Sequence, residues 1–406
     1  MKLLVFYPYA PWPLDRGTYQ RTYHLLKALA RHHEVDFVAL TENEDGIEEK
    51  RAVFSAFCRD VEFVPFQHPP WQKLFPERLL NPLPSNVQHW QSQAVASVID
   101  RRLVPGRYDL VHLCDLVLMP YVLRHREHTP FVVDRSRVDL QFQLMEHRTL
   151  KFSRRERLLR WESYAKLWRY EKRLAAEARL EVVCGPDDEA FIHSRISPEA
   201  PVMVVANGVD LDYFHPGAAP DARAGEPTVI FCGAMDYSPN VDALRWFFEE
   251  IHDNLLVRVP NVRTLIVGKN PTAEVRAYGS REGVEVTGGV PDVRPYYRRA
   301  WLQMVPLRIG GGTRLKIVES LAIGTPVVST TIGAQGLELR HGHDVLLADE
   351  PDGFAVELAR GLASADLRAE LEANGIDTAR SRFGWPAIGA RLAERYDSLN
   401  SPLAIS

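Results

Sequence analysis

Short runs of Val, Ile, Leu and Phe recur along the whole 406-residue chain, and most are followed by a stretch long enough for a helix. The first half contains KLLVFY, EVDFVAL, DVEFVPF, DLVHLC, PFVVD, LEVVC and VMVVA. The second half continues with TVIFCG, VRTLIVG, VEVTG, LQMVP, TPVVST and VLLA. Strands that are apolar almost throughout do not alternate between core and solvent. They belong to a parallel sheet covered on both faces by helices, so the chain reads as α/β and doubly wound.

A Gly-, Pro-, Ala- and Asp-rich stretch, residues 207 to 227, lies between the two series and reads as a linker. It divides the chain into a first domain over 1–206 and a second over 207–385. A last amphipathic helix, about 386–406, carries Ile388, Leu392 and Tyr396 at four-residue spacing and is expected to pack back on the first domain. Two segments interrupt the regular alternation. The Pro- and aromatic-rich stretch QHPPWQKLFPERLLNPLPSNVQHW reads as irregular or short-helical surface structure. Residues 148–173 are strongly basic, with Phe152, Trp161, Tyr164, Trp168 and Tyr170 interleaved. That segment reads either as an amphipathic helix lying on an anionic membrane or as a long exposed helix whose aromatics pack on the first domain.

Composition narrows the function classes. Apolar residues at 46% and charged residues at 25% are ordinary for a soluble globular protein. A net charge of -4 supplies no field that would draw the molecule to nucleic acid. Cys58, Cys114, Cys184 and Cys232 are widely spaced with no C-x-x-C pair, which argues against zinc or a disulfide framework and suits a reducing cytoplasm. No sufficiently long apolar run suggests a spanning helix.

The stretch PLRIGGGTRLKIVES, residues 306 to 320, carries the chemistry. It is a strand-to-helix turn in which Thr313 is the expected N-cap, Gly324 the C-terminal stop, and Leu315, Val318 and Ala322 one apolar face. Free N–H groups and the positive dipole end at such a helix start bind anions, and Arg314, Lys316 and Arg308 add full charges. Lys316 and Glu319 fall on a different face, where the carboxylate is placed to accept hydrogen bonds from ribose hydroxyls. These residues read as a diphosphate-plus-ribose cradle or, more blandly, as a glycine turn with solvated charges.

Six ordered motifs, VVANGVDLDYFHP, FCGAMDYSPNVDALRWF, LIVGKNP, VEVTGGVPDVRPYYRRA, VPLRIGGGTRLKIVESLAIGTPVVST and GAQGL, resemble the retaining glycosyltransferases of family 4, which have the GT-B fold. The GGGTRLK run is similar to that of bacterial exopolysaccharide-type sugar transferases. The resemblance implies two Rossmann-like doubly wound domains facing a central cleft, the first for the acceptor and the second for a nucleotide-sugar donor. It implies that Glu319 holds the ribose, that Arg314 and Lys316 bind the diphosphate, and that the backbone of Gly310, Gly311 and Gly312 faces the donor. Gly289 and Val290 fall where the family grips the nucleobase, and Gly17 lies in the loop that closes over the diphosphate. Three positions depart from the family pattern. Gly311 stands where the family has its first glutamate, Ala234 begins a neutral loop in place of Arg and Lys, and His112 is followed by Cys114 rather than by a second histidine.

Transfer by this route needs no protein nucleophile, since the departing phosphate takes the acceptor's proton while Arg314 and Lys316 stabilise the developing charge. No metal or other cofactor is implied. His112 would orient the donor sugar, act near the acceptor, or be a satisfied structural histidine. Asp134 and Arg135, at a strand's carboxyl edge, are acceptor-side candidates or a solvated loop. Arg21 would join the site on closure or belong to a solvated helix face. The expected activity is transfer from a nucleotide-diphosphate sugar, UDP preferred over GDP, to a glycan, lipid-linked or small-molecule hydroxyl, in the cytoplasm or at the inner face of the membrane. A degenerate nucleotide-binding module without turnover and a nucleotide-sugar 2-epimerase are the alternatives.

Overall fold

The computed structural model describes residues 1–14, 16–43, 45–69, 80–149, 153–217, 225–309 and 314–400. The chain forms two compact units, one of Met1–Ala206 together with the stretch from Trp385, the other of Asn207–Gly384.

Among the described residues the first unit is built on seven strands: Lys2–Tyr7 (β1), Glu34–Thr41 (β2), Asp60–Pro65 (β3), Leu110–Leu113 (β4), Phe131–Asp134 (β5), Leu180–Val183 (β6) and Val202–Val204 (β7). All pairings are parallel, in the order β3-β2-β1-β4-β5-β6-β7. β4, β5 and β6 are buried at every position, which is why their sequences are mostly apolar without alternation; each carries one buried polar residue, His112, Asp134 and Glu181. The strand order reverses between β1 and β4, and in such sheets ligands gather at the carboxyl ends beside that point. The Pro-rich segment after β3 is more than surface structure. Its described part contains a short helix, Ser85–Gln88, and Val87 and Trp90 are buried in the core, with Trp90 stacked on Phe66 at 5.2 Å between centroids. Large apolar area removed from water outweighs the irregular backbone here.

The helix Trp385–Asn400 packs against Gly17–Leu29 of the same unit. Trp385 stacks on His24 at 5.2 Å, and Ile388, Leu392 and Tyr396 are all buried. Gly389 sets the approach of the two helices, because a Cβ there would lie 2.1 Å from Ala28 Cβ.

Among the described residues the second unit has six strands: Thr228–Cys232 (β8), Arg263–Val267 (β9), Val284–Gly288 (β10), Leu302–Val305 (β11), Val327–Ser329 (β12) and Leu346–Leu347 (β13). They are parallel in the order β10-β9-β8-β11-β12-β13, with the reversal between β8 and β11. The stretch read as a linker is tied down over its described first part. Val209 N–H donates to Phe383 O at 2.7 Å, Asp210 Oδ1 accepts from the backbone of Asp212 and Tyr213, and Arg294 lies 3.8 Å over the Tyr213 ring. Residues 218–224 lie outside the described residues.

Helix propensity and packing oppose each other at Gly389. Propensity alone makes Gly389→Ala stabilising by about 1 kcal/mol, whereas the clash with Ala28 costs roughly 1–3 kcal/mol. Urea unfolding is expected to show a net loss of stability, and a gain would contradict the packing described here.

Candidate functional site

At the carboxyl edge of the second sheet the backbone comes unusually close to itself. A Cβ on Gly268 would lie 1.6 Å from Gly233 O, so no side chain fits between the ends of β8 and β9. Gly233 N–H donates to Val267 O at 3.0 Å and Met235 N–H to Lys269 O at 2.9 Å, which joins the two loops. The loop after β8 is then clipped by Asn240, whose Nδ2 donates to Ala234 O at 2.8 Å. The Oδ1 of Asn240 accepts from Lys316 Nζ at 2.9 Å, and that ammonium lies 4.1 Å from the Phe231 ring centre. A Cβ on Gly233 would meet both groups, at 2.7 and 3.0 Å.

Lys316 is in the first turn of the helix Leu315–Ile323. Ile317, Val318, Ser320, Leu321, Ala322 and Ile323 are buried, which leaves Leu315, Lys316 and Glu319 on the half-buried side. Burial pulls the Lys316 ammonium down to about 7; Arg314 adds to the depression and Glu319 opposes it. Arg314 is largely buried and donates to Ile332 O at 3.3 Å. Across the same edge, Asp292 accepts a bidentate pair from Arg294 and a bond from the Tyr213 hydroxyl at 3.3 Å. The Tyr213 pKa is raised, first by burial and then by Asp292, with Glu319 contributing.

The first unit carries a buried polar chain at the carboxyl side of its sheet. Arg21, 2% exposed, donates through Nε and Nη2 to Asp134 at 2.6 to 3.0 Å and through Nη1 to Val205 O at 2.8 Å. Burial alone would lower the Arg21 pKa, and Asp134 more than offsets it. His112 Nδ1 lies 2.6 Å from the Tyr396 hydroxyl and Nε2 3.9 Å from Asp134 Oδ2. With the tyrosine donating to Nδ1, the ring proton sits on Nε2 and faces the carboxylate. Burial holds the His112 pKa down at about 4, with Asp134 opposing, so the ring is neutral at physiological pH.

Residues 16–213 match the family described as Glycosyltransferase Family 4, and residues 226–364 match the one described as Glycosyl transferases group 1. The chain belongs to the family 4-like glycosyltransferases of the GT-B fold. A D-inositol 3-phosphate glycosyltransferase from Nocardiopsis dassonvillei is 27% identical over 266 residues, covering 58% of this chain and 61% of that protein. Among the first curated relatives, the alignments span from a quarter to about three fifths of the relatives' own length. Sucrose-phosphate synthase from Thermosynechococcus elongatus has the same fold, with a TM-score of 0.75 at 20% identity, covering 98% of this chain and 99% of that one. So does Anabaena HepE in complex with UDP-glucose, with a TM-score of 0.68 at 16% identity and the same coverage.

In this family 4-like chain, Lys316, Arg314 and Glu319 come together at one helix start, and Gly324 ends that helix in the left-handed conformation. Gly289, exposed, and Val290 follow β10 on the same edge of the sheet. Gly310, Gly311, Gly312 and Thr313 lie outside the described residues. The helix begins at Leu315, so Arg314 rather than Thr313 is its N-cap, and it makes no side-chain cap bond. Arg308 does not offer a free charge to the turn, because Asp242 takes its guanidinium in two bonds of 2.7 and 3.1 Å. Gly17 opens the helix Gly17–Leu29 and is exposed.

Three first-unit expectations change. Arg21 is not on a solvated helix face, since Asp134 and Val205 O draw it inward. Arg135 is not an acceptor-side group; it is buried between Glu171 at 2.8 Å and Glu181 at 2.9 Å. There burial, only partly offset by Arg135, lifts the Glu171 carboxyl to about 7. His112 is 2% exposed with its Nδ1 engaged by the Tyr396 hydroxyl, the arrangement of a satisfied structural histidine. Residue-by-residue reading missed Asn240, Tyr213, Asp292 and Arg294. The repeated glycine after an apolar strand, in FCGAM and IVGKN, was the signal that two strand ends meet.

The neutral His112 makes stability depend on pH. An unfolded histidine takes up a proton below about 6.5, whereas the folded one does so only near 4, so stability falls as pH drops through that window. Between about pH 7 and pH 5, His112→Gln is expected to lose about 2 kcal/mol less than the wild type in urea unfolding. Equal losses in both proteins would contradict the buried neutral ring.

Proposed function

We propose that this protein transfers a sugar from a nucleotide-diphosphate sugar to a hydroxyl of a glycan, lipid-linked or small-molecule acceptor, with retention at the anomeric carbon. The observation that carries the reading is Lys316, a half-buried ammonium held by Asn240 at a helix start, with Glu319 one turn further along. Desolvation has lowered its pKa to about 7, and a bound diphosphate would restore the charge that burial disfavours. Lys316 and Arg314 are assigned to the leaving diphosphate and Glu319 to the ribose hydroxyls. Gly289 and Val290 would meet the base. Gly310, Gly311, Gly312 and Thr313 complete the donor contacts of the second unit in this reading.

The acceptor oxygen bonds to the anomeric carbon as the bond from that carbon to the diphosphate breaks. The acceptor's proton passes to the departing phosphate oxygen, so no protein base or nucleophile is assigned. The cations do the electrostatic work, and a divalent ion is not required in this reading. UDP is preferred over GDP, a choice supported by the UDP-glucose complex of HepE. Asp134, 3% exposed with both oxygens taken by Arg21, is not assigned to the acceptor.

Calorimetry with UDP, GDP, ADP and dTDP tests the assignment. UDP is expected to bind in the presence of EDTA, and Glu319→Ala to weaken it roughly 10- to 100-fold, the worth of hydrogen bonds to a carboxylate. Affinity is expected to fall several-fold from about pH 6 to about pH 8 as Lys316 loses its proton, and to stay flat in Lys316→Arg. Binding that is abolished by EDTA, or unaltered in Glu319→Ala, would contradict the cradle. Binding without turnover of any UDP-sugar would leave a nucleotide-binding module in place of the enzyme.

A further inference from the structure

The helix Arg154–Glu177 has two faces of opposite character. Leu167, Glu171 and Leu174 are completely buried against the first unit, and Tyr170 nearly so. On the other side, Arg154, Arg157, Leu158, Trp161 and Lys172 fall within about 100° of the circumference at 3.6 residues per turn. Leu158 is 72% and Trp161 71% exposed. Arg154, Arg157 and Lys172 are exposed beside them.

The four glutamates of this helix stand off the stripe and are engaged elsewhere. Glu156 closes the capping box with Ser153, Glu162 pairs with Lys166 at 2.6 Å, Glu171 with Arg135, and Glu177 with Arg126 at 2.6 Å. The stripe is therefore cationic and apolar together, and the described contacts take these four glutamates to other partners. Trp168 is fixed in place, its Nε1 donating to Arg195 O at 3.1 Å and Lys172 lying 4.1 Å over its ring.

Among the described residues, no helix is long and apolar enough to cross a membrane. An exposed Leu and Trp one turn apart, flanked by guanidinium groups, is suited instead to lie in an interface. We propose that this stripe docks the protein on the surface of an anionic lipid bilayer. Leu158 and Trp161 enter the headgroup layer, and Arg154, Arg157 and Lys172 meet lipid phosphates. Charge decides for this occupant over a neutral apolar partner, which would leave the cations desolvated and unpaired. The inference rests on the helix alone and does not depend on the proposed activity.

Co-sedimentation of the full chain with vesicles tests it. Binding is expected to vesicles containing phosphatidylglycerol and not to pure phosphatidylcholine, and to weaken at high salt. It is expected to fall ~10-fold or more in Leu158→Ala/Trp161→Ala and, separately, in Arg154→Glu/Arg157→Glu. All four side chains are exposed, so unchanged thermal unfolding in both variants serves as the folding control. Equal binding to both vesicle types, or wild-type binding by either variant, would overturn the proposal. A concentration-dependent dimer that the Leu158→Ala/Trp161→Ala variant abolishes, without vesicle binding, would assign the face to a second copy and overturn it equally.

Discussion

At the carboxyl edge of the second sheet a Cβ on Gly268 would strike Gly233 O, and one on Gly233 would strike Asn240 and Lys316, so both strand ends depend on glycine. The contact brings the loops after β8 and β9 together and leaves Asn240 to close the first of them. It also clears the space that the Lys316 ammonium occupies above Phe231. An amine in that position is poorly solvated, and its depressed pKa follows from the packing rather than from any one neighbour. The chemistry assigned to the donor side thus begins with a backbone constraint at the end of β8, the neighbour of the strand that leads into the lysine's helix.

The first unit manages its charges differently. Arg21 is buried with Asp134, and Arg135 with two glutamates, each pair in a setting where losing one partner would leave a costly bare charge. The last helix contributes Tyr396 to this interior, where its hydroxyl meets His112. Chain that follows the second unit therefore helps to define the polar interior of the first. Gly389 permits that return by letting the helix backbone lie against Ala28.

The α/β character was legible because strands buried on both faces are mostly apolar and do not alternate, as in β4, β5, β6 and β8. The relation of Lys316 to Glu319 was legible because helical periodicity alone sets it. What escaped sequence reading depends on partners far along the chain. Arg21 and Asp134 are 113 residues apart, and Lys316 and Asn240 are 76 apart. A basic residue on a helix reads as solvated until such a partner is known. Val87 and Trp90 were hidden for a related reason, because a Pro-rich run gives no periodicity from which to infer burial.

Amide hydrogen exchange on the full chain, with and without saturating UDP, tests the central claim most directly. If the diphosphate seats at the start of the helix Leu315–Ile323, protection is expected to rise over residues 314–323 and over the stretch after β10 around Gly289. It is expected to vanish in Lys316→Ala at the same nucleotide concentration. Protection confined to residues 1–206, or unchanged by that substitution, would contradict the placement of the donor on the second unit.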